Sequence, residues 1–194
     1  MTFPGKESFR GWGEYLRVAS PSMIISCSEW WAWEVTTLVA VLISVEAQAV
    51  QTTVTSVYAL IYTIPASYQE ATAAIIGNCI GANNVPLAER FYILSSLITA
   101  ISVVFLQFVI FFGRNAIATY YLVSDEAQQT AELIFFLIAL TFFFDGMEIF
   151  MQGPIRAIEL QGRASWITIL LFYLIGLPLA CSLALKTSLG VVGL

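Results

Sequence analysis

Five acidic side chains lie more than two residues inside the long apolar stretches of the sequence, where an ionised carboxylate is costly. They are Glu29, Glu34, Glu70, Asp145 and Glu148, and no lysine, arginine or histidine falls within the predicted membrane spans to neutralise them. A charged side chain in a bilayer costs several kcal/mol, so an acid placed there is by default a functional candidate. A single acid can instead face a lipid headgroup or bond a neighbouring hydroxyl, but five acids without a base favour a site.

The chemistry open to such acids is the exchange of a proton for a cation. Low dielectric favours the neutral form of a carboxylic acid, which brings proton binding into the physiological range. Once deprotonated, the same group can bind Na⁺ or an organic cation, and this competition is the minimal machinery of an antiporter. Tryptophans interleave with the first two acids in "SEWWAWEV". They can supply cation–π surfaces or simply pack at the membrane interface, and both interpretations stay open.

The spacing of the acids predicts different surroundings for the first two. Counted from Pro21, Glu29 lies about 12 Å and Glu34 about 20 Å along a helix. Five residues turn a helix so that the two side chains point about 140° apart, and they should face different surroundings.

The three later acids have different settings. Asp145 and Glu148 are three residues apart and share a helix face, with Asp145 the deeper and Glu148 nearer the cytoplasmic boundary, where it can be solvated. Glu70 follows Pro65, and a proline kink beside an acid is typical of a cavity.

Composition indicates an integral membrane protein. The 194 residues are 59% hydrophobic and only 11% charged, with a mean hydropathy of +0.83, whereas soluble domains carry about a quarter charged residues. A net charge of −5 disfavours nucleic acid as a partner. The chain has no histidine, and its three cysteines show no metal-type spacing, so we expect no metal site, no cofactor and no enzyme.

Five apolar runs predict an all-α bundle of five transmembrane helices. Residues 1–20 are predicted to be a cytoplasmic and interfacial segment, and residues 21–194 the transmembrane bundle. Each span is long enough for a bilayer core of about 30 Å, and continuous runs favour helices over a barrel. The spans cover residues 21–44, 50–76, 91–112, 130–152 and 164–185. If they alternate in direction, six of the eight basic residues fall on the N-terminal side, which predicts a cytoplasmic N-terminus.

Several motifs, in order, resemble the multidrug and toxic compound extrusion (MATE) transporters of eukaryotes. "SEWWAWEV" resembles the family's seventh-helix motif, and "YTIPASYQEATAAIIGNCIGANN" its eighth helix and following loop. "FDGMEIFMQGPIRAIELQG" is similar to the tenth helix, and "YLIGLPLACSLALKTSLGVVGL" to the eleventh. Ala157 and Glu159 stand where the family usually has glycines, and Glu70 has no counterpart in the family pattern.

The resemblance implies an exporter of organic cations and other xenobiotics, coupled to H⁺ or Na⁺ and working by alternating access. Carried over by motif, Glu29 and Asp145 are expected to couple the ion, while Glu34, Trp30 and Tyr62 are expected to bind substrate. Glu70 is a possible extra acid. The sequence decides neither the role of Glu148 nor whether the membrane is the plasma membrane or an internal one.

The resemblance covers helices seven to eleven of a family that has twelve. We therefore expect a partial lobe, a fragment whose partners include the N-terminal lobe, the twelfth helix and the lipid bilayer. The alternative is a truncated, non-transporting membrane protein with a structural or regulatory role. An intramembrane enzyme is disfavoured, because the sequence pairs no nucleophile with a base.

Overall fold

The fold is a bundle of long helices, seen in a computed structural model. The backbone is described for residues 11–187 and 189–194. Within the helices, side chains are described except for those of Val18, Pro21, Ser22, Ile25, Ser26, Glu29 and Ser165. In these described residues the structure contains helices and no strands, which confirms the predicted all-α class.

Four long helices come first, followed by a broken one. They are α1 (Trp12–Ile43), α2 (Val45–Gly81), α3 (Val85–Tyr121) and α4 (Asp125–Ala157). The last long element consists of α5 (Gln161–Ile169), a π-helical segment (Leu170–Gly176) and α6 (Leu177–Lys186), and a 3₁₀ turn (Gly190–Gly193) follows. Each of the first four helices extends beyond the apolar run that predicted it.

Short, capped connections hold the long helices side by side. Ser44 alone separates α1 from α2; its backbone is extended, and its hydroxyl accepts a hydrogen bond from the amide of Ala47 at 2.9 Å. Between α2 and α3 the chain turns at Asn83, whose φ of 59° is left-handed, and Asn84 caps α3 by accepting from Leu87 N at 3.2 Å. Asparagine tolerates and caps such turns better than most residues.

The start of α1 differs from the prediction. The predicted first span starts at residue 21, but α1 already begins at Trp12. Ser20 lies within the helix and its hydroxyl donates to the carbonyl of Leu16 one turn earlier, a bond available to serine inside a helix. Residues 1–10 of the predicted interfacial segment lie outside the described residues.

By length and composition, three of the described helices can cross a membrane. These are α3, α4 and the broken element Gln161–Lys186, and α1 adds a shorter apolar stretch, Trp30–Ile43. The chain is therefore a multi-pass membrane protein. The five-span arrangement stays a prediction for α1 and α2. Helix α2 buries four polar side chains, which makes it less apolar: Gln51, Thr53, Gln69 and Thr72.

Helices α2, α3 and α4 pack around one core, and two glycines bring their backbones close. A Cβ added to Gly153 of α4 would lie 2.3 Å from the carbonyl oxygen of Gln69 in α2. A Cβ on Gly146 would lie 2.8 Å from a methyl of Val103 in α3. Such close approach is how membrane helices gain packing contacts, since the lipid is as apolar as their side chains.

The π-helical segment interrupts the last long element near its middle. The amide of Leu177 bonds to the carbonyl of Phe172, five residues earlier, and Pro178 beside it has no N–H to offer. The wider turn also carries Tyr173, whose hydroxyl donates to the backbone carbonyl of Ser28 in α1 at 3.0 Å. This turn therefore ties the last element to α1, and π-turns of this kind are common at functional sites.

Candidate functional site

The centre of the candidate site is the pair formed by Asp145 and Tyr58. Asp145 lies on α4 and Tyr58 on the facing side of α2, and the phenol donates a hydrogen bond to the Oδ2 of the carboxylate. Both side chains are partly buried. Among the described residues Tyr58 is the one donor to this carboxylate, which keeps acceptor positions open to another ligand.

Aromatic rings pack against Tyr58, the phenol of this pair. Trp33 of α1 stacks on Tyr58 with ring centroids 4.8 Å apart, and Phe142 of α4 meets Tyr58 edge-on at 6.3 Å. One turn away, Trp30 meets Tyr62 edge-on at 5.8 Å. Rings at these separations pack favourably with each other and offer their faces to a cation.

A small space, the inner cavity, lies between α1, α2, α4 and the π-helical segment. It is lined by Trp30, Trp33, Thr55, Tyr58, Ala59, Tyr62, Asp145, Glu148, Ile149 and Phe172. It offers about 40 Å³ to the centres of water-sized molecules. One water needs roughly 10–15 Å³ on this measure, so the inner cavity suits a few waters or a small ion.

The lining of the inner cavity includes a hydroxyl that needs a partner. Thr55 Oγ1 is buried and has no hydrogen-bond partner among the described residues. Buried polar atoms in proteins are nearly always bonded, by water where protein groups are absent. Thr55 therefore marks the inner cavity as a polar site rather than an apolar packing gap.

A larger, open depression, the outer groove, lies against the same two acids. It is lined by Trp33, Tyr58, Ile138, Thr141, Phe142, Phe144, Asp145 and Glu148, and its volume is about 440 Å³. Pockets for drug-sized molecules measure about 300–1,000 Å³ and are mostly apolar with a few polar groups. Asp145 and Glu148 thus border an ion-sized space on one side and a ligand-sized space on the other.

The structure brings together some of the predicted site residues. Trp30, Tyr62 and Asp145 all line the inner cavity. Glu34 is exposed and is not among the described residues that line either the inner cavity or the outer groove. The side chain of Glu29 lies outside the described residues, so the predicted roles of both α1 acids stay predictions.

Glu70 has a basic partner that the sequence analysis missed. Arg156 Nη1 of α4 donates to Glu70 Oε1 at 2.7 Å, and the Glu70 side chain is 68% exposed. The expectation that no base accompanies these acids is therefore wrong for Glu70. Arg156 had been placed in a loop because the predicted span ended at residue 152, but α4 continues to Ala157.

The residue that sequence reasoning missed is Tyr58, the direct partner of Asp145. A pattern on α2 could have found it. Thr55, Tyr58, Tyr62 and Gln69 recur at steps of three, four and seven, which places them on one helix face. That face is the one turned toward α4, as the Tyr58–Asp145 and Gln69–Gln152 hydrogen bonds demonstrate.

No metal-binding cluster is present in the part of the chain that the structure describes. Among those residues, no three cysteine, aspartate or glutamate side chains lie close enough together to share an ion. Asp145 and Glu148, with phenols, an amide and a hydroxyl around them, form a set of oxygen donors suited to a proton or a weakly held hard cation.

Comparison with known proteins places the chain among transporters. The family model described as MatE matches residues 21–181. Multidrug and toxin extrusion protein 1 of Homo sapiens is 25% identical over 188 residues, which cover 97% of this chain and 33% of that protein. An uncharacterized transporter of Schizosaccharomyces pombe is 30% identical, with 97% of this chain and 35% of that protein covered. The chain thus spans about a third of the length of these relatives.

A solved structure shares the fold. The crystal structure of the eukaryotic MATE transporter AtDTX14 superimposes with a TM-score of 0.89 at 24% identity, covering 99% of this chain and 43% of that one. The long helices and their packing are thus those of one part of that transporter's helical bundle.

Proposed function

The chain belongs to the MATE family, and from that premise we propose that it supplies part of one lobe of a cation-coupled antiporter. The proposed antiporter exports organic cations or other xenobiotics in exchange for H⁺ or Na⁺. Relatives that carry the name multidrug and toxin extrusion protein support the substrate class. Alternating access needs two bundles that move about a central site, so the remainder of the bundle is a required partner.

The observation that carries the proposal is the position of Asp145. Its carboxylate borders the ion-sized inner cavity and the ligand-sized outer groove at once. When it is deprotonated, its charge attracts a cation in the outer groove, beside the rings of Trp33 and Phe144. When it binds H⁺ or Na⁺ from the inner cavity, that attraction is lost and the substrate cation is released.

Tyr58 gives the exchange a fixed geometry. Its phenol donates to the deprotonated carboxylate, which holds Asp145 in one orientation while the other acceptor positions face the cavity. Trp33, stacked on Tyr58, keeps that ring in place. On the family pattern we propose Glu29 as a second coupling acid and Glu34, with Trp30 and Tyr62, as substrate contacts.

Substitution of Asp145 tests the proposal. We expect Asp145→Asn to abolish efflux of a fluorescent organic cation from vesicles that contain the complete transporter, whether a pH or a Na⁺ gradient drives it. The two gradients, imposed separately on the wild type, identify the coupling ion. Glu29→Gln is expected to behave in the same way.

The matched control makes the same chemical change elsewhere on the same helix. Asp125 is the first residue of α4 and is exposed, so Asp125→Asn should leave efflux at the wild-type rate. Wild-type efflux by Asp145→Asn would disprove the proposal. Loss of efflux in both variants would place the defect in folding or insertion of α4, not in coupling.

A further inference from the structure

A line of polar side chains continues along α4 from Asp145 toward its C-terminal end. The next members are Glu148, Gln152 and Arg156, at steps of three, four and four residues, so they lie on the same face as Asp145. At about 1.5 Å per residue the line covers about 16 Å of the helix. Polar residues in a helix apolar enough to cross a membrane are costly, so a polar face of this length indicates a functional role.

The members of this line are connected to each other and to α2. Gln152 Nε2 donates to the Glu148 carboxylate at 3.3 Å, and its Oε1 accepts from Gln69 of α2 at 3.4 Å. Gln69 is only 3% exposed, so it holds the amide of Gln152 from the buried side. The Glu148 carboxylate is thereby oriented by a neighbour that is itself fixed.

A second space, the end cavity, lies beyond Glu148. It is lined by Glu148, Met151, Gln152, Ile155, Arg156, Gln161, Ala164 and Thr168, and it offers about 130 Å³ to the centres of water-sized molecules. That is room for several waters. The Nε of Arg156 is buried and has no hydrogen-bond partner among the described residues, and Glu148, Gln152 and Gln161 add polar groups to the lining of the end cavity.

Glu148 is the residue that the inner cavity and the end cavity share. Other ionisable groups face it from both sides: Asp145, Tyr58 and Tyr62 line the inner cavity, and Arg156 lines the end cavity. The charge of Arg156 is balanced by Glu70 at 2.7 Å, so a cation that enters the end cavity meets a neutral pair and then a carboxylate.

We propose that Glu148 is a relay carboxylate that passes the coupling ion between the end cavity and Asp145. A proton from the end cavity binds one oxygen of Glu148 and leaves from the carboxyl group into the inner cavity, which regenerates the carboxylate. Na⁺ would instead exchange between the two carboxylates as an intact ion. The inference rests on the proposed function, since a relay has meaning only if Asp145 binds the coupling ion.

Two substitutions test the relay independently. Glu148→Gln removes the ionisable group, and we expect the rate of ion-driven efflux to fall about tenfold. Because Glu148 also lines the outer groove, the rate is measured at a saturating concentration of the organic cation. Glu148→Asp keeps a carboxylate and should recover at least half of the rate. Ala164→Leu narrows the end cavity and leaves every acid in place, so it should slow efflux several-fold and decides the question even if Glu148→Gln does not fold.

Matched controls separate these effects from general damage to the helices. Glu132→Gln removes an acid from α4 at a position that borders none of the three spaces, and Ala74→Leu enlarges an exposed side chain of α2 that lines none of them either. Both should keep the wild-type rate. Wild-type efflux in Glu148→Gln or in Ala164→Leu would overturn the relay while Asp145→Asn stays inactive. Active Asp145→Asn would instead overturn the proposed function itself.

Discussion

On the two sides of Asp145, α4 passes through different surroundings. Toward its N-terminal end it belongs to a continuous apolar core with α2 and α3, in which Phe135 and Phe142 are 1% exposed and Ala131 is fully buried. Toward its C-terminal end it faces the inner and end cavities and the buried amide of Gln69. We call these the apolar half and the polar half of the bundle.

The difference between the halves bears on the route of the proposed coupling ion to Asp145. A charge within the close-packed apolar core would lose its hydration without gaining a partner. The polar half offers carboxylates, amides and room for water. Asp145 therefore borders the inner cavity together with Glu148 and Ile149 on its C-terminal side, and the outer groove together with Ile138 and Thr141 on its N-terminal side.

The largest effect is expected in the apolar half. Phe135→Ala would leave a cavity in the core, and truncations of this kind cost about 3–5 kcal/mol in soluble proteins. We expect a marked fall in the thermal unfolding temperature of the detergent-solubilised transporter. Phe105→Ala, at a 66% exposed position of α3, is the matched control and should change little. Equal unfolding temperatures in the two variants would argue against a close-packed core in this half.

An intermediate effect is expected where α2 and α4 approach each other closely in the polar half. Gly153→Ala would place a Cβ 2.3 Å from the carbonyl oxygen of Gln69, so α2 and α4 must separate. Overpacking of this type costs about 1–3 kcal/mol and would also pull Gln152 from Gln69. The thermal unfolding temperature and the rate of efflux should both fall. In Gly77→Ala the added Cβ meets nothing within 4 Å, so this control should be neutral or stabilising. Similar losses in both variants would refute the close approach of α2 and α4 at Gly153.

The smallest effect is expected at the end of the polar half. Glu70→Gln breaks the ion pair with Arg156, but Glu70 is 68% exposed, and exposed pairs contribute about 0–1 kcal/mol. We expect a small destabilisation that disappears at high salt. Thermal unfolding of the detergent-solubilised transporter, at low and at high salt, measures it. Glu89→Gln, which changes another exposed acid, should show no salt-dependent loss. A large loss in Glu70→Gln would mean that the ion pair, and not Gly153, holds this end together.

The sequence predicted the class of fold, and it singled out an acid, Asp145, that the structure places beside two spaces. Continuous apolar runs can only be helices in a membrane, because the backbone must bond to itself there. Asp145 was found because a carboxylate is conspicuous among apolar residues. Tyr58 was missed because a tyrosine in an apolar helix resembles ordinary packing, and only the fold reveals that its hydroxyl meets the acid.

The ends of the helices were the least predictable features, and two errors follow from that. Hydropathy marks where lipid ends, whereas backbone hydrogen bonding continued α4 to Ala157 and brought Arg156 beside Glu70. At the other end of the chain, serine before proline is typical of a helix start, but α1 begins at Trp12. Glu159 ends the α4 turn with φ of 60°, a left-handed conformation that suits the glycine usual there in the family.

The single residue between α1 and α2, Ser44, is the point about which a tilt of the first helix would move its far residues most. Its capping bond to Ala47 fixes Ser44 to α2. Trp30 lies 14 residues away, or about 21 Å, so a tilt of α1 by about 10° at Ser44 would move it about 4 Å. Such a tilt would have to break two bonds farther along α1, from Gln51 to Thr36 and from Tyr173 to the carbonyl of Ser28, before it parted Trp30 from Tyr62.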